Sequence, residues 1–201
     1  MRTRYPGYNV LDKYHTVSWN DASRRAVDKR LHQVPPRRFF TEDEWQTLSA
    51  ICDRIVPQAP GPLAPVPIPA FIDAKMHDNE TDGAQDASMP SMQECWRRGL
   101  RAIEDEARLR FGAAFRELNA GRQETVLALV QTGDVRSPEW EGMPGEKFFK
   151  SRLLHDIVTY YYGHPAGWNE IGFGGPASPR GYVRMGFNRR DPWEAEEVRR
   201  D

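Results

Sequence analysis

The sequence predicts an all-α protein of about five or six helices joined by long loops rich in proline and glycine. Apolar residues recur at three- and four-residue spacing in several stretches, which is typical of helices that bury one face. Helix-capping motifs precede several of these stretches. No stretch alternates apolar and polar residues over enough positions to indicate a strand. With 201 residues, the chain is long enough to bury a core of its own.

The first two predicted helices lie in the N-terminal quarter of the chain. The first begins at Ser18, as its cap, and ends near Gln33. The second follows the capping box Thr41–Glu44, in which the threonine caps the helix and the glutamate reaches back three residues. Pro57 ends this second helix, because proline cannot continue it. Its apolar stripe is formed by Trp45, Leu48, Cys52 and Ile55.

The third and fourth predicted helices follow a stiff loop, Pro57 to Pro69, that contains six prolines. Pro69 suits the first turn of a short helix. A second capping box, Ser91–Glu94, begins a longer helix that ends at Phe111, since Gly112 suits the position after a helix end. The residues predicted to be buried are Phe71, Ile72, Trp96, Leu100, Ile103, Ala107 and Phe111.

Two further helices are predicted before the C-terminal part of the chain. Asn119 caps one that ends at Gly133, and the other extends from Glu146 to Tyr162, with Gly163 after it. The apolar positions of the latter are Phe149, Leu153, Ile157 and Tyr160. We therefore divide the chain into an N-terminal arm (1–17), a helical domain (18–163) and an irregular C-terminal arm (164–201) that is expected to bind a partner.

The C-terminal arm begins with an unusual stretch, Gly163 to Val183, that contains six glycines and three prolines. This composition predicts that neither a helix nor a strand passes through it. Its large apolar residues must lie against some surface. The spelling G-x-G-x-x-A at 172–177 is not a dinucleotide-binding motif, because no strand is predicted before it and Pro176 removes an N–H.

The charge balance excludes some classes of function. The chain has 28 basic and 29 acidic residues and a formal net charge of −1. Nucleic-acid and anionic-membrane proteins carry a basic excess instead. No apolar run is long enough for a membrane span. The first 17 residues do not resemble a secretory signal. We therefore expect a cytoplasmic protein, or a periplasmic one if a signal-bearing partner exports it.

No catalytic, cofactor-binding or metal-binding residue is predicted. The five histidines lack metal-ligand spacing, and the two cysteines, Cys52 and Cys95, are expected to be buried free thiols. An alternative function is a stand-alone helical enzyme with His155 or His164 as general base. In that alternative, Asp156 or Glu170 would lie beside the base.

Several short motifs occur in an order that resembles the gluconate 2-dehydrogenase subunit 3 family, over roughly residues 39–183. The motifs are Thr41–Glu44, Ile51–Pro57, Phe71–Asp73, Phe148–Phe149, Tyr161–Pro165, Trp168–Gly172, Gly175–Ala177 and Arg180–Tyr182.

The resemblance implies a non-catalytic helical small subunit. It would bind and stabilise a large FAD-containing sugar or polyol dehydrogenase of the glucose–methanol–choline oxidoreductase type, with a cytochrome c as a further partner. FAD would lie on the large subunit, and this chain would hold no cofactor. Members of the family commonly carry a twin-arginine export signal, and none is expected in the first 17 residues of this sequence, so an exported complex would need a signal on the large subunit.

The residues predicted to form the partner interface are Trp168, Phe173, Pro176, Arg180 and Tyr182. Aromatic residues and arginine contribute most of the binding energy at protein interfaces. The alternative is that these residues cover the core of this chain itself.

Overall fold

The structure is a computed structural model that describes residues 4–83, 88–177, 181 and 183–198. All regular structure in these ranges is helical, as predicted. The helices are α1 (Asp21–His32), α2 (Glu42–Ile55), α3 (Ile68–His77), α4 (Met92–Phe111), α5 (Ala120–Thr132), α6 (Gly145–Phe148), α7 (His155–Tyr162) and α8 (Pro165–Ile171). A π-helical segment, Phe149–Leu154, joins α6 to α7 without a break.

Most of the predicted helix boundaries are confirmed. Both halves of the capping box at Thr41 are present, and Asn119 caps α5. Gly112 and Gly133 end their helices in the left-handed conformation, with φ of 71° and 78°. The cap of α1 was predicted wrongly, because Asn20 and not Ser18 accepts the hydrogen bond from the Ser23 N–H.

Helix α8 contradicts the prediction that residues 164–201 are irregular. Pro165 occupies the first position of this helix, where its missing N–H costs nothing. Gly172 follows the helix with φ of 67°. Gly167 lies against the Tyr161 carbonyl group, where a Cβ atom would overlap the backbone. Residues that usually break a helix therefore begin it, end it and allow it to pack closely.

The chain forms two compact units. Unit 1 consists of Met1–Val34, Gln58–Val66 and Tyr161–Asp201, and unit 2 consists of Pro35–Pro57 and Pro67–Tyr160. The segments predicted as N- and C-terminal arms thus belong to one unit, together with α1.

The core of unit 2 is built around α4, whose buried face contacts α2, α5 and α6. Gly99 lies on this face and allows the Phe148 ring to lie directly against the α4 backbone. The ring packs edge-on against Trp96, with centroids 5.8 Å apart. The predicted core residues Trp96, Leu100, Ile103, Ala107, Leu153 and Ile157 are all buried. Cys52 and Cys95 are buried and free, as predicted.

Buried carboxylates hold the irregular segments of unit 2. Asp73 on α3 is fully buried. Its two oxygens accept hydrogen bonds from the backbone N–H groups of Arg38 (2.6 Å), Phe39 (3.0 Å) and Phe40 (2.8 Å). Buried N–H groups outside regular structure need such partners. One side chain therefore fixes the chain that leads into α2.

Two glutamates on α4 also accept hydrogen bonds from the backbone of later loops. Glu106 is fully buried and accepts hydrogen bonds from the backbone N–H groups of Arg136 and Ser137, the latter at 2.7 Å. Glu104 accepts from the Phe115 N–H (3.0 Å) and from the Thr47 hydroxyl (2.6 Å). Unit 2 thus uses charged side chains, not strands, to satisfy its connecting backbone.

We expect Gly99→Ala to lower the free energy of unfolding by about 1–3 kcal/mol, because the new methyl group would overlap the Phe148 ring in a filled core. Chemical denaturation followed by circular dichroism measures this change. Gly121→Ala is the matched control on α5, where the only neighbour of a new Cβ lies 3.8 Å away. Equal stability of the Gly99 variant and the wild type would contradict this account of the packing.

We expect Asp73→Asn to lower the free energy of unfolding by about 2–4 kcal/mol, because the amide loses the charge and turns an NH₂ group towards backbone donors. Asp53→Asn, on the exposed side of α2, is the control and should change stability little. If the free energy of unfolding fell no further in the Asp73 variant than in this control, the carboxylate would not hold residues 38–40.

Candidate partner-binding surface

Unit 1 has a small aromatic core in which Trp168 is central. Trp168 is 4% exposed and packs with Val10, Trp19 and Val27. Its indole N–H donates to the Tyr162 carbonyl (2.8 Å), and the Arg30 guanidinium lies 5.6 Å from its ring centroid. Trp168 is therefore part of this chain's own core, as the alternative interpretation predicted, and it is not an exposed interface anchor.

Side chains of the N-terminal and C-terminal segments bond to each other's backbone inside unit 1. The side-chain oxygen of Asn169 accepts from the Val10 N–H (2.7 Å). The Tyr8 hydroxyl donates to the Phe173 carbonyl (3.1 Å), and the Lys13 ammonium donates to the Gly174 carbonyl. The residues predicted as a free N-terminal arm are thus part of a folded unit.

The chain after α8 turns tightly over this core. Gly175 has φ of 66°, and a Cβ atom there would lie 3.1 Å from both the Trp168 and the Trp19 rings. Glycine is needed here because its positive φ is unfavourable for residues with a side chain, and because the two indole rings lie too close for a Cβ atom to fit without a shift. Pro176 follows and is half-buried.

Three apolar side chains around α8 remain exposed, and we call them the α8 surface. They are Tyr162 (37% exposed), Ile171 (46%) and Phe173 (38%). One edge of Phe173 packs against the Trp168 ring, with centroids 5.9 Å apart, so its position is set by the core beneath it. Of the residues predicted as interface anchors, Phe173 has the exposure that an anchor requires.

Exposed apolar side chains are concentrated in unit 1. Among the residues that the structure describes, ten large hydrophobic side chains are exposed, and nine of them belong to unit 1. Sequence reasoning missed Met185 and Phe187, which are 65% and 94% exposed. Their signal was the alternation Val183, Met185, Phe187 within a polar tail. Arg180 and Tyr182, two of the predicted anchors, lie outside the described residues.

His164, one of the two candidate general bases, is the cap of α8. Its Nδ1 accepts a hydrogen bond from the Ala166 N–H (3.2 Å), and its imidazole also bonds to the Arg30 backbone. Burial lowers the pKa of His164 below its ordinary value and favours the neutral ring. The lone pair that a general base would need is therefore used for capping.

The second candidate, His155, is exposed at the start of α7, next to the buried Asp156. The carboxylate of Asp156 accepts from the Lys75 ammonium (2.7 Å) and from the Trp96 indole N–H (3.1 Å). Lys75 also bonds to Asp82 (2.6 Å). Burial opposes the charge of Lys75, but these two carboxylates outweigh it and raise its pKa.

The ligand atoms of Asp82, His155 and Asp156 lie within 4.8 Å of one another, a spacing that could hold a metal ion. The Lys75 ammonium already bonds to both carboxylates, so an ion would have to replace this cation. The donor set fits a buried ion pair better than a metal centre.

A helical scaffold that leaves apolar side chains exposed on one of its units is typical of a subunit that buries part of its surface in a larger assembly. A sequence model of the family described as Gluconate 2-dehydrogenase subunit 3 matches residues 42–175, more than half of the chain. The chain therefore belongs to the gluconate 2-dehydrogenase subunit 3 family, and this membership implies a multi-subunit complex. It matches no curated protein and no solved structure. Among the described residues, no helix combines the length and the apolar character needed to cross a bilayer.

The cap at His164 predicts a pH dependence of stability. The pKa of His164 is lower in the folded protein than the ordinary 6.5, so the unfolded chain binds the proton more readily. Its contribution to stability is complete above about pH 6.5 and is lost as the pH falls below that value. We expect the free energy of unfolding to fall by up to about 1.4 kcal/mol per pH unit from this group.

Unfolding titrations between about pH 7.5 and 5.5 on the wild type and on His164→Asn measure this contribution. Asparagine is a good helix cap but does not titrate, so the variant should lose this part of the pH dependence. The same pH dependence in both proteins would contradict the assignment.

Proposed function

We propose that this protein is the non-catalytic small subunit of an oxidoreductase complex, in which it binds and stabilises a large FAD-dependent subunit of the glucose–methanol–choline type. The observation that supports this most is the concentration of exposed apolar side chains in unit 1. Membership in a family of dehydrogenase subunits supports the kind of partner.

The two units have different roles in this proposal. Among the described residues, Leu109 is the one large hydrophobic side chain of unit 2 that is exposed, and Asp73, Glu104 and Glu106 bond to the backbone of its loops. It serves as a rigid body. Unit 1 has a core just large enough to fix α8, and it presents apolar side chains around that helix. Interfaces of stable complexes combine a rigid base with such apolar anchors.

The chemistry takes place on the partner in this proposal. A flavin held by the large subunit would supply the oxidation of a sugar or polyol there, and a cytochrome c would take up the electrons. The present chain contributes surface and stability. In this proposal it holds no redox group of its own. The engagement of His164 in capping and of Asp156 in an ion pair argues against the alternative of a stand-alone enzyme with a histidine base.

Co-production with the large dehydrogenase subunit of the same organism tests the proposal. A tag on this chain should retain the large subunit, and the purified complex should show flavin absorbance. The large subunit produced alone should be less stable to heat. A monodisperse tagged chain that retains no flavoprotein would contradict the proposal.

Within that complex, we expect Phe173→Ala to weaken association by about 2 kcal/mol, because an exposed aromatic anchor would lose its contacts. Leu109→Ala is the matched control, since Leu109 is an exposed large apolar residue of unit 2 (56% exposed). Circular dichroism of both variants checks that unit 1 remains folded. Equal association of both variants would show that the α8 surface does not bind the large subunit.

A further inference from the structure

The C-terminal segment contains a tight turn that presents a phenylalanine to solvent. We call residues 183–191 the Phe187 turn. Within it, the Arg189 N–H donates to the Gly186 carbonyl (3.2 Å), which closes the turn. Asn188 has φ of 55°, a left-handed conformation that asparagine tolerates better than most residues. Phe187 lies at the tip.

The base of the Phe187 turn is fixed by charged groups. Arg184 forms a two-point ion pair with Glu194, with N···O distances of 3.0 and 2.9 Å. The Asp191 carboxylate accepts from the Met185 N–H (2.9 Å), and Glu194 accepts from the Asp191 N–H (3.1 Å). The shape of the turn therefore does not depend on burial of its apolar side chains.

Those apolar side chains face solvent to an unusual degree. Phe187 is 94% exposed, Val183 69% and Met185 65%. Apart from Phe173 and Phe187, the phenylalanines of the chain are buried or half-buried: Phe39, Phe40, Phe71, Phe111, Phe115, Phe148 and Phe149. A fixed turn that carries an exposed aromatic side chain has already lost the conformational freedom that binding would otherwise cost.

Two arginines stand beside this apolar tip. Arg189 and Arg190 are both exposed, and Arg190 donates to the Ala195 carbonyl (3.3 Å). An aromatic residue next to guanidinium groups is the composition that dominates interface energetics. Such a tip fits an apolar pocket with acidic side chains on its rim.

The Phe187 turn shares a groove with the chain that follows α8. Among the described residues, an open groove of about 830 Å³ is lined by Gly172 and Gly174 beside α8 and by Val183 and Phe187 of the turn. The family match ends at residue 175, so the turn lies beyond the part that defines the family. The turn and the chain on either side of Phe173 can therefore contact one partner, with the turn adding contacts that the family model does not describe.

We propose that the Phe187 turn is a second anchor for the large dehydrogenase subunit. The turn inserts Phe187 into an apolar pocket of that subunit, and acidic side chains line the rim of the pocket. This contact selects the cognate large subunit. This inference rests on the proposed function. A lipid surface fits less well, because residues 183–198 hold four carboxylates (Asp191, Glu194, Glu196 and Glu197) against three arginines and so lack the basic excess that an extended anionic surface attracts.

Titration of the purified large subunit with this full-length chain tests the anchor. Phe187→Ala should bind at least about 30-fold more weakly than the wild type, the loss that corresponds to a hot-spot residue. The double variant Arg189→Ala, Arg190→Ala should bind more weakly and show a smaller loss of affinity on addition of salt. Leu109→Ala is the control and should bind like the wild type.

The outcomes separate the anchor from the proposed function. If the wild-type chain binds the large subunit and the Phe187→Ala variant binds it with the same affinity, the anchor is overturned and the proposed function stands. Failure of the wild type to bind would overturn the proposed function and the anchor with it. Binding of the wild type to phosphatidylglycerol vesicles that is lost in the Phe187 variant, with unchanged binding to the large subunit, would assign the turn to a membrane and overturn the anchor.

Discussion

Buried carboxylates are the interaction on which unit 2 depends. Its loops contain too much proline and glycine to pair their backbone in strands, yet their N–H groups lie against the core. Asp73 alone accepts from three successive N–H groups, and Glu106 accepts from two more in another loop. A buried charge is costly unless it is fully hydrogen-bonded. The helices and the loops therefore stabilise each other, and neither arrangement is favourable alone.

Unit 1 solves the same problem with side chains from its N-terminal segment and from α8. Tyr8 and Lys13 donate to the carbonyl groups of Phe173 and Gly174, and Asn169 accepts from the Val10 N–H. These bonds fix the irregular chain after α8 while its apolar side chains stay exposed. A surface that is ordered but not covered is what a subunit of a multi-subunit enzyme would present to its neighbour.

Local signals in the sequence predicted the helices of unit 2 well, because the cap at Thr41 and the glycines at 112 and 133 act within one turn of the chain. Helix α8 was missed because the six glycines and three prolines of residues 163–183 together indicate that no helix passes through them, although Pro165 occupies a first position of one. The role of Trp168 was not predictable, since its partners Val10 and Trp19 are about 150 residues away in sequence. The carboxylates left a weak signal: Asp73 and Glu106 lie next to apolar residues on otherwise buried helical faces.

Hydrogen exchange of this chain, free and bound to the large dehydrogenase subunit, tests most directly whether unit 1 is the binding surface. The account predicts that binding slows exchange around α8 and in residues 183–191, while α4 and α5 exchange as in the free chain. Protection confined to unit 2, or no protection anywhere in unit 1, would contradict it.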